Sequence, residues 1–368
     1  MGTDRTVAVF GAYGHTGRFV VAELRARGLR AVLVGRDPDK LKALAYGMEP
    51  YGTGSSGTTA YGTEERATGT YTTPPDVRTA SAHDPASVDR ALTGAAAVIN
   101  CAGPFATTAA PVIEAALRAG IPYVDVAAEI EANLDTFAHY AERARESGAS
   151  IVPAMAFFGG LGDLLATAAM GDWATADEAH IAYGLSSWHP TAGTRTAGAV
   201  SRERRGHGRR IRYTGGRLEH RDDAPPTLEW RFPEPLGPRT VIGEFTMADV
   251  VTVPSHLTVP EVRTYMTAEA ARDLAAPDTP APAAVDERGR SDQTFLVDVV
   301  VRSGGAERRA VARGQDIYAV TAPLVVEAVE RVLTGRTRAV GVASAGKMFD
   351  APDFLRALSP HITVELFS

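Results

Sequence analysis

The chain has 368 residues, 45% of them hydrophobic and 22% charged, with 38 Lys and Arg against 44 Asp and Glu for a net charge of -6. That length and balance support two packed domains, and the acidic excess argues against a nucleic-acid or anionic-membrane binder, whose surface needs net positive charge. The one cysteine, Cys101, rules out an intrachain disulfide and a cysteine-based metal cluster. No apolar run reaches the roughly 18 residues of a membrane span. The expected setting is therefore the cytoplasm, the expected partner is a small molecule, and no metal site is assigned.

The first predicted element is a buried strand, Thr6 to Phe10, which feeds directly into Gly11-Ala12-Tyr13-Gly14-His15-Thr16-Gly17 and then an apolar helical pattern from Phe19 to Leu24. A strand, a glycine-rich turn and a helix in that order let backbone approach a pyrophosphate at a helix N-terminus. Gly11 would take the tight turn, Gly14 the close approach and Gly17 the helix-strand packing, with Tyr13, His15 and Thr16 completing the cofactor loop. The spacing is G-x-x-G-x-x-G rather than G-x-G-x-x-G, so an ordinary glycine-rich turn is the competing reading. A second strand, Ala31 to Val34, closes on Gly35-Arg36, where an NAD site usually carries an acid for the ribose hydroxyls. An arginine there suits a 2′-phosphate, because its guanidinium presents a planar fork of donors. The expected cofactor is NADP(H).

Residues 46–75 form a low-complexity insertion, read as a passive surface loop or, from its tyrosines, as a substrate lid. The alternation then resumes with strand Val77–Ala80, helix Pro85–Leu92, strand Ala95–Ile99, helix Pro111–Arg118, strand Tyr123–Val126, helix Asn133–Glu146, strand Ser150–Pro153 and helix Asp163–Met170. This predicts a doubly wound parallel sheet with ligands beyond the carboxyl ends of its strands. From about Asp177 the texture changes to extended runs, Ala179–Leu185, Arg209–Tyr213 and Phe295–Val301, with hairpin turns at Gly215-Gly216 and Gly304-Gly305. A Pro/Ala-rich stretch from Ala275 to Ala284 reads as peripheral, and a helix with Pro323 in its first turn returns to the first domain. The predicted fold is α/β, a Rossmann-type doubly wound parallel sheet (residues 1–172 and 320–368) with an inserted α+β domain built on an antiparallel sheet (173–319).

Asp125 and Glu129 follow a strand end and could orient or protonate a substrate amine, although an Asp there can equally cap the next helix. Cys101, with no base partner identified, reads as a small buried hydrophobe rather than a nucleophile. His189 could be a general acid or a structural or exposed loop residue, and Arg195 could anchor an anion or sit in a surface salt bridge. The run from Ser201 to Arg212 is the dense positive cluster of the chain, able to receive a phosphopantetheine or acidic carrier protein, or simply a solvated face.

Four separated segments, the nucleotide loop, Asn100-Cys101-Ala102-Gly103-Pro104-Phe105, Tyr123-Val124-Asp125 and Ala345-Gly346-Lys347-Met348-Phe349-Asp350, together resemble the saccharopine dehydrogenase-like NADP-binding oxidoreductases. Members of that family reduce imines or, in the trans-acting enoyl reductases, carbon-carbon double bonds on carrier-bound chains. The resemblance implies that Asn100, Ala102, Gly103 and Pro104 lie along the nicotinamide, with Phe105 facing substrate. It also implies that the turn holding Thr194 and Arg195 lies over the cofactor, with both residues as substrate-binding candidates. The segment Ile151–Asp163 departs from the family by carrying aromatic or glycine residues at its usual polar positions, which implies a more apolar pocket than an amino-acid zwitterion needs. Val126-Ala127-Ala128 likewise stands where relatives continue with a glycine before the acid.

The resulting expectation is an NADPH-dependent oxidoreductase acting on a C=N or C=C bond of a small biosynthetic substrate, with Asp125, His189 and Glu129 as catalytic candidates. Domain closure would exclude water from the nicotinamide. A reductase of a carrier-bound enoyl chain, partnered by an acyl carrier protein, and a non-catalytic NADP(H)-responsive regulator are the alternatives, and a homodimer is left open.

Overall fold

A computed structural model describes residues 5–47, 75–206 and 209–367. The postulated lid at 46–75 lies almost wholly outside the described residues.

Chain order begins with β1 (Thr6–Phe10), α1 (His15–Ala26), β2 (Arg30–Gly35), α2 (Pro38–Ala45), β3 (Asp76–Thr79), α3 (Pro85–Leu92), β4 (Ala97–Asn100), α4 (Phe105–Ala119), β5 (Tyr123–Asp125), α5 (Ile130–Ser147), β6 (Ser150–Val152) and α6 (Gly162–Met170). The second region holds β7 (Glu178–Leu185), α7 (Ala192–Arg204), β8 (Arg210–Thr214), β9 (Arg217–Arg221), β10 (Thr227–Arg231), β11 (Pro238–Gly243), α8 (Asp249–Thr252), β12 (Glu261–Thr267), α9 (Ala268–Ala275), β13 (Thr294–Ser303) and β14 (Ala306–Gln315). The chain closes with α10 (Thr321–Leu333), β15 (Gly341–Val342), α11 (Ala345–Met348), α12 (Ala351–Ala357) and β16 (Thr363–Phe367).

The first sheet has the order β15-β6-β5-β4-β1-β2-β3 and every pairing in it is parallel. Period-two alternation explains why both its faces are covered. Val7, Val9, Leu33 and Ile99 join one apolar cluster, and Ala8, Phe10, Val32, Val34 and Val98 the other. The first cluster runs on through Leu164 and Leu165 of α6 and Leu324 and Val325 of α10 to Ile181, Val297 and Val299 of the second sheet. The two sheets therefore share one core. α10 is fixed to α1 by Arg27, whose guanidinium donates to Glu327 at 2.5 Å and Glu330 at 2.6 Å.

The second sheet runs β10-β11-β12-β7-β13-β14-β16, with the β8-β9 hairpin attached at β12. It is mixed, because β12 pairs with β7 in parallel while the other pairs are antiparallel. Both double-glycine turns are hairpins, each with two consecutive glycines at positive φ. The last strand, β16, lies against β14 rather than in the parallel sheet, so the chain end returns to the second layer. α4 starts at Phe105, six residues before the expected Pro111, which sits inside the helix. α5 likewise starts at Ile130, three residues before the expected Asn133, so Glu129 becomes its N-cap. Both starts bring the helix ends to the carboxyl edge of the sheet.

Candidate active site

The turn after β1 is bound to the end of β2, with the amides of Gly11 and Ala12 both donating to the Val34 carbonyl at 2.8 and 3.1 Å. A Cβ on Gly11 would stand 2.9 Å from the Ala102 amide nitrogen, and one on Gly17 only 2.3 Å from the Gly11 carbonyl oxygen. These two glycines let the turn, α1 and the loop after β4 press together. Gly14 is the N-cap of the 12-residue helix α1 and brings no side chain to its first amides, which with the helix dipole suits an anion. Tyr13 lies so close to Gly35 that a Cβ there would meet its ring at 2.5 Å. Arg36 is exposed at the mouth of the same cleft. The nearby acid, Asp37, is turned into α2 as its N-cap, accepting from the amides of Asp39 and Lys40 at 3.0 and 3.2 Å, and those bonds hold its carboxyl below the usual range. A glycine cradle, open amides and an arginine at the 2′ position fit a dinucleotide 2′-phosphate.

These elements open into a cleft of about 1600 Å³ between the two sheets. Of the residues singled out in the sequence, Gly11, Tyr13, Gly14, His15, Thr16, Arg36, Ala102, Gly103, Pro104, Phe105, Glu129, Thr194 and Arg195 line it. Gly17, Asn100, Asp125 and His189 do not.

Asn100 works from beneath. It is fully buried, accepts from the Ala102 amide at 3.0 Å and donates to the Tyr123 hydroxyl at 3.1 Å, shaping the loop that Gly103 and Pro104 present. Asp125 also sits below the cleft: one oxygen accepts from the amides of Ala127 at 3.0 Å and Ala154 at 2.9 Å, the other from Tyr123 at 2.8 Å. Burial raises its carboxyl to about 6, yet its acceptor sites are taken up in joining three loops. The expected catalytic role of Asp125 is corrected to that of a positioning residue. Burial pushes the Cys101 thiol well above its usual range, with the Asp125 charge adding to the effect, which suits an inert side chain.

Glu129 is placed differently. It is 7% exposed, lines the cleft beside Pro104 and Phe105, and accepts the Phe105 amide, the first of α4, at 3.0 Å. Burial dominates its surroundings, with Asp125 and Glu131 adding repulsion, and lifts its carboxyl to about 7. A carboxylic acid poised near neutral pH at a cleft wall is suited to proton transfer.

The second region supplies the remaining walls. Phe157 and Phe158, in the turn after β6, and Trp188 are buried along the cleft, with Phe158 and Trp188 ring centroids 4.9 Å apart. This bears out the apolar departure read from Ile151–Asp163. Within that segment Asp163 is fully buried and structural, contacting His256 at 2.7 Å and accepting the Gly346 amide at 2.7 Å. Tyr318 escaped the sequence reading, for it stands in no motif. Its hydroxyl gathers Trp188 Nε1 at 3.2 Å, the Thr191 amide at 3.3 Å and Thr194 Oγ1 at 2.9 Å, while its ring packs 5.1 Å from that of His15. Burial keeps the His15 imidazole below its ordinary value, against the opposing charge of Asp316.

His189 contributes a backbone carbonyl to Tyr318 at 3.4 Å but no ring to the cleft, which removes the geometry a general acid needs. Arg195 lines the cleft while one of its guanidinium nitrogens, Nη2, donates to the carbonyls of Ala276 at 3.1 Å and Thr279 at 2.8 Å and so fastens the Pro/Ala-rich loop. In the basic run, Arg204 pairs with Asp135 at 2.8 Å, Arg210 with Glu244 at 2.9 Å and Arg212 with Glu219 at 3.1 Å. Much of the charge read as a carrier-docking patch is thus internally neutralised. His207 and Gly208 lie outside the described residues.

Residues 7–152 match the family model of the saccharopine dehydrogenase NADP binding domain. A probable mitochondrial saccharopine dehydrogenase-like oxidoreductase of Arabidopsis thaliana is 30% identical over 160 residues, covering 41% of this chain and 31% of that protein. The chain thus spans about a third of the length of the curated relative it matches. The solved apo saccharopine dehydrogenase (L-Glu forming) of Saccharomyces cerevisiae aligns over 99% of this chain and 100% of its own with a TM-score of 0.64 at 11% identity, which shows a shared fold. Over residues 7–152 this chain is similar to the saccharopine dehydrogenase NADP binding domain, and the cofactor is NADP(H).

Proposed function

We propose that this chain is an NADPH-dependent oxidoreductase that saturates a C=N or C=C bond of a small biosynthetic substrate bound in the cleft, with Glu129 as the proton donor. The observation that carries this reading is the Glu129 carboxyl, buried at the cleft wall beside the Gly103-Pro104 turn and lifted to about 7.

NADPH, when bound, supplies the hydride. Gly11, Gly14 and the first amides of α1 would hold the pyrophosphate, Arg36 would take the 2′-phosphate, and the Gly103-Pro104 turn would flank the reacting ring. Glu129 would give its proton to the end of the double bond that the hydride does not take, the nitrogen of an imine or the carbon next to an enoyl carbonyl, and would remain as the carboxylate. The Phe105 amide then stabilises that carboxylate. Phe157, Phe158 and Trp188 keep bulk water from the reacting atoms.

The cytoplasmic setting and the biosynthetic role belong to this proposal. Among the described residues, no helix is long and apolar enough to cross a membrane. The test is direct. Calorimetric titration should show NADPH binding well ahead of NADH, and the loaded protein should oxidise NADPH with a member of a panel of cyclic imines and enoyl thioesters. Failure of both cofactors to bind would overturn the reading, and so would NADPH turnover undiminished in Glu129→Gln.

A further inference from the structure

One cation in the cleft wall has no role in the chemistry above. α7 presents Ser201 and Arg202, and the turn that follows it presents Arg205 one helical turn further on, all toward the cleft. The Arg205 side chain is 12% exposed, and its Nε is buried with no acceptor among the described residues. The nearest carboxylate oxygen, Oε1 of Glu131, stands 3.5 Å away and is itself without a hydrogen bond, while the other Glu131 oxygen takes the Ser201 hydroxyl. Burial pulls the Arg205 guanidinium below its ordinary value, but arginine stays charged in proteins. Arg205 and Glu131 thus form a buried ion pair with no hydrogen bond at Nε, and the part of the guanidinium that lines the cleft can still take a second anion.

Another part of the wall is apolar. Trp188 lies 4.9 Å from Phe158 and 6.4 Å from Phe245 between ring centroids, and Met247 lines the cleft beside them. At about 1600 Å³ the cleft exceeds the roughly 300–1,000 Å³ of a common single-ligand pocket. There is space for a sizeable molecule beside a dinucleotide.

We infer that the substrate is an elongated apolar molecule ending in an anionic group, its body along Phe158, Trp188, Phe245 and Met247 and its carboxylate or phosphate on Arg205, with Arg202 at the rim. The inference rests on the cleft being the substrate site. Its test is calorimetric titration of the protein, first with NADPH and then with decanoate, decyl phosphate and the neutral methyl decanoate, repeated without NADPH. One of the two anions should bind at least about tenfold more tightly than the ester, the equivalent of one charge-assisted hydrogen bond, and the tighter of the two identifies the headgroup. Arg205→Ala should abolish that preference and leave the NADPH isotherm unchanged. Arg204→Ala, which removes a guanidinium already paired with Asp135, should keep the preference. If Arg205→Ala does not fold, Arg205→Gln carries the same expectation, since it removes the charge and retains a polar group toward Glu131. Equal binding of acid and ester by the unaltered protein, or a preference that survives loss of the Arg205 charge, would overturn the inference. Failure of the cofactor reading would show separately, as a missing NADPH isotherm.

Discussion

Glu129→Gln is expected to make the protein more stable at pH 8 while removing the proposed proton donor. The Glu129 carboxyl sits at about 7 against an ordinary 4.5. Between those two values the folded protein still holds a proton that the unfolded chain has released, so stability falls as pH rises through the window. The full cost is present above pH 7 and amounts to about 3 kcal/mol. Glutamine retains an oxygen that can accept the Phe105 amide but never carries the charge, so the variant escapes the cost. Urea unfolding followed by circular dichroism at pH 4, 6 and 8 should give similar stabilities for the two proteins at the acid end and a gap opening toward about 3 kcal/mol at pH 8. Asp249, raised to about 7 by burial, slopes both curves alike, and the difference reports Glu129 together with its repulsion from Asp125. Parallel curves would refute the assignment of a buried, protonated Glu129. In turnover, the loss of a general acid predicts a fall in kcat of roughly 100-fold or more with NADPH affinity unchanged, and the unaltered enzyme should lose activity as pH rises through about 7.

Arg36→Ala should weaken NADPH by about 10- to 100-fold, the worth of a charge-assisted hydrogen bond to phosphate, and leave NADH nearly untouched; equal losses for both cofactors by calorimetry would remove Arg36 from the 2′ site. Gly17→Ala places a Cβ 2.3 Å from the Gly11 carbonyl oxygen and 2.8 Å from that of Ala12, an overlap expected to cost about 1–3 kcal/mol in urea unfolding together with cofactor affinity. Arg195→Ala releases the carbonyls of Ala276 and Thr279, so limited proteolysis between residues 276 and 284 should quicken while NADPH binding holds. A loss of NADPH affinity instead would restore Arg195 as an anion anchor.

The nucleotide half was legible because its signals are local. A mostly apolar strand, three glycines at fixed spacing and Arg36 after the second strand all sit within one βαβ unit, and the glycines are packed there as a tight turn requires. The second layer was legible only as texture. That β12 would lie parallel to β7, or that β16 would cross over to β14, depends on pairings far apart in sequence that no local pattern encodes. The same limit governs the site. Asp125 and Glu129 look alike in a sequence, a carboxylate after a strand, and they part because Tyr123, Ala127 and Ala154 converge on the first below the cleft while the second meets the Phe105 amide at the cleft wall. His189 and Arg195 have the right functional groups, but His189 does not line the cleft and Arg195 donates from one nitrogen to two backbone carbonyls. Tyr318 was invisible for the opposite reason, as its importance comes from three partners, Trp188, Thr191 and Thr194, more than a hundred residues upstream.

The route of the backbone carries a lesson for anyone wishing to recombine this protein with its relatives. The polypeptide passes between the two layers three times, from α6 to β7, from β14 to α10 and from α12 to β16. A specificity module excised as residues 173–319 would leave behind its own outermost ribbon, Thr363–Phe367, and bare the hydrogen-bonding edge of β14 from Arg309 to Arg313. Chimeras built on two splice points should therefore aggregate where chimeras built on three stay soluble. The last strand has to travel with the module whose sheet it completes.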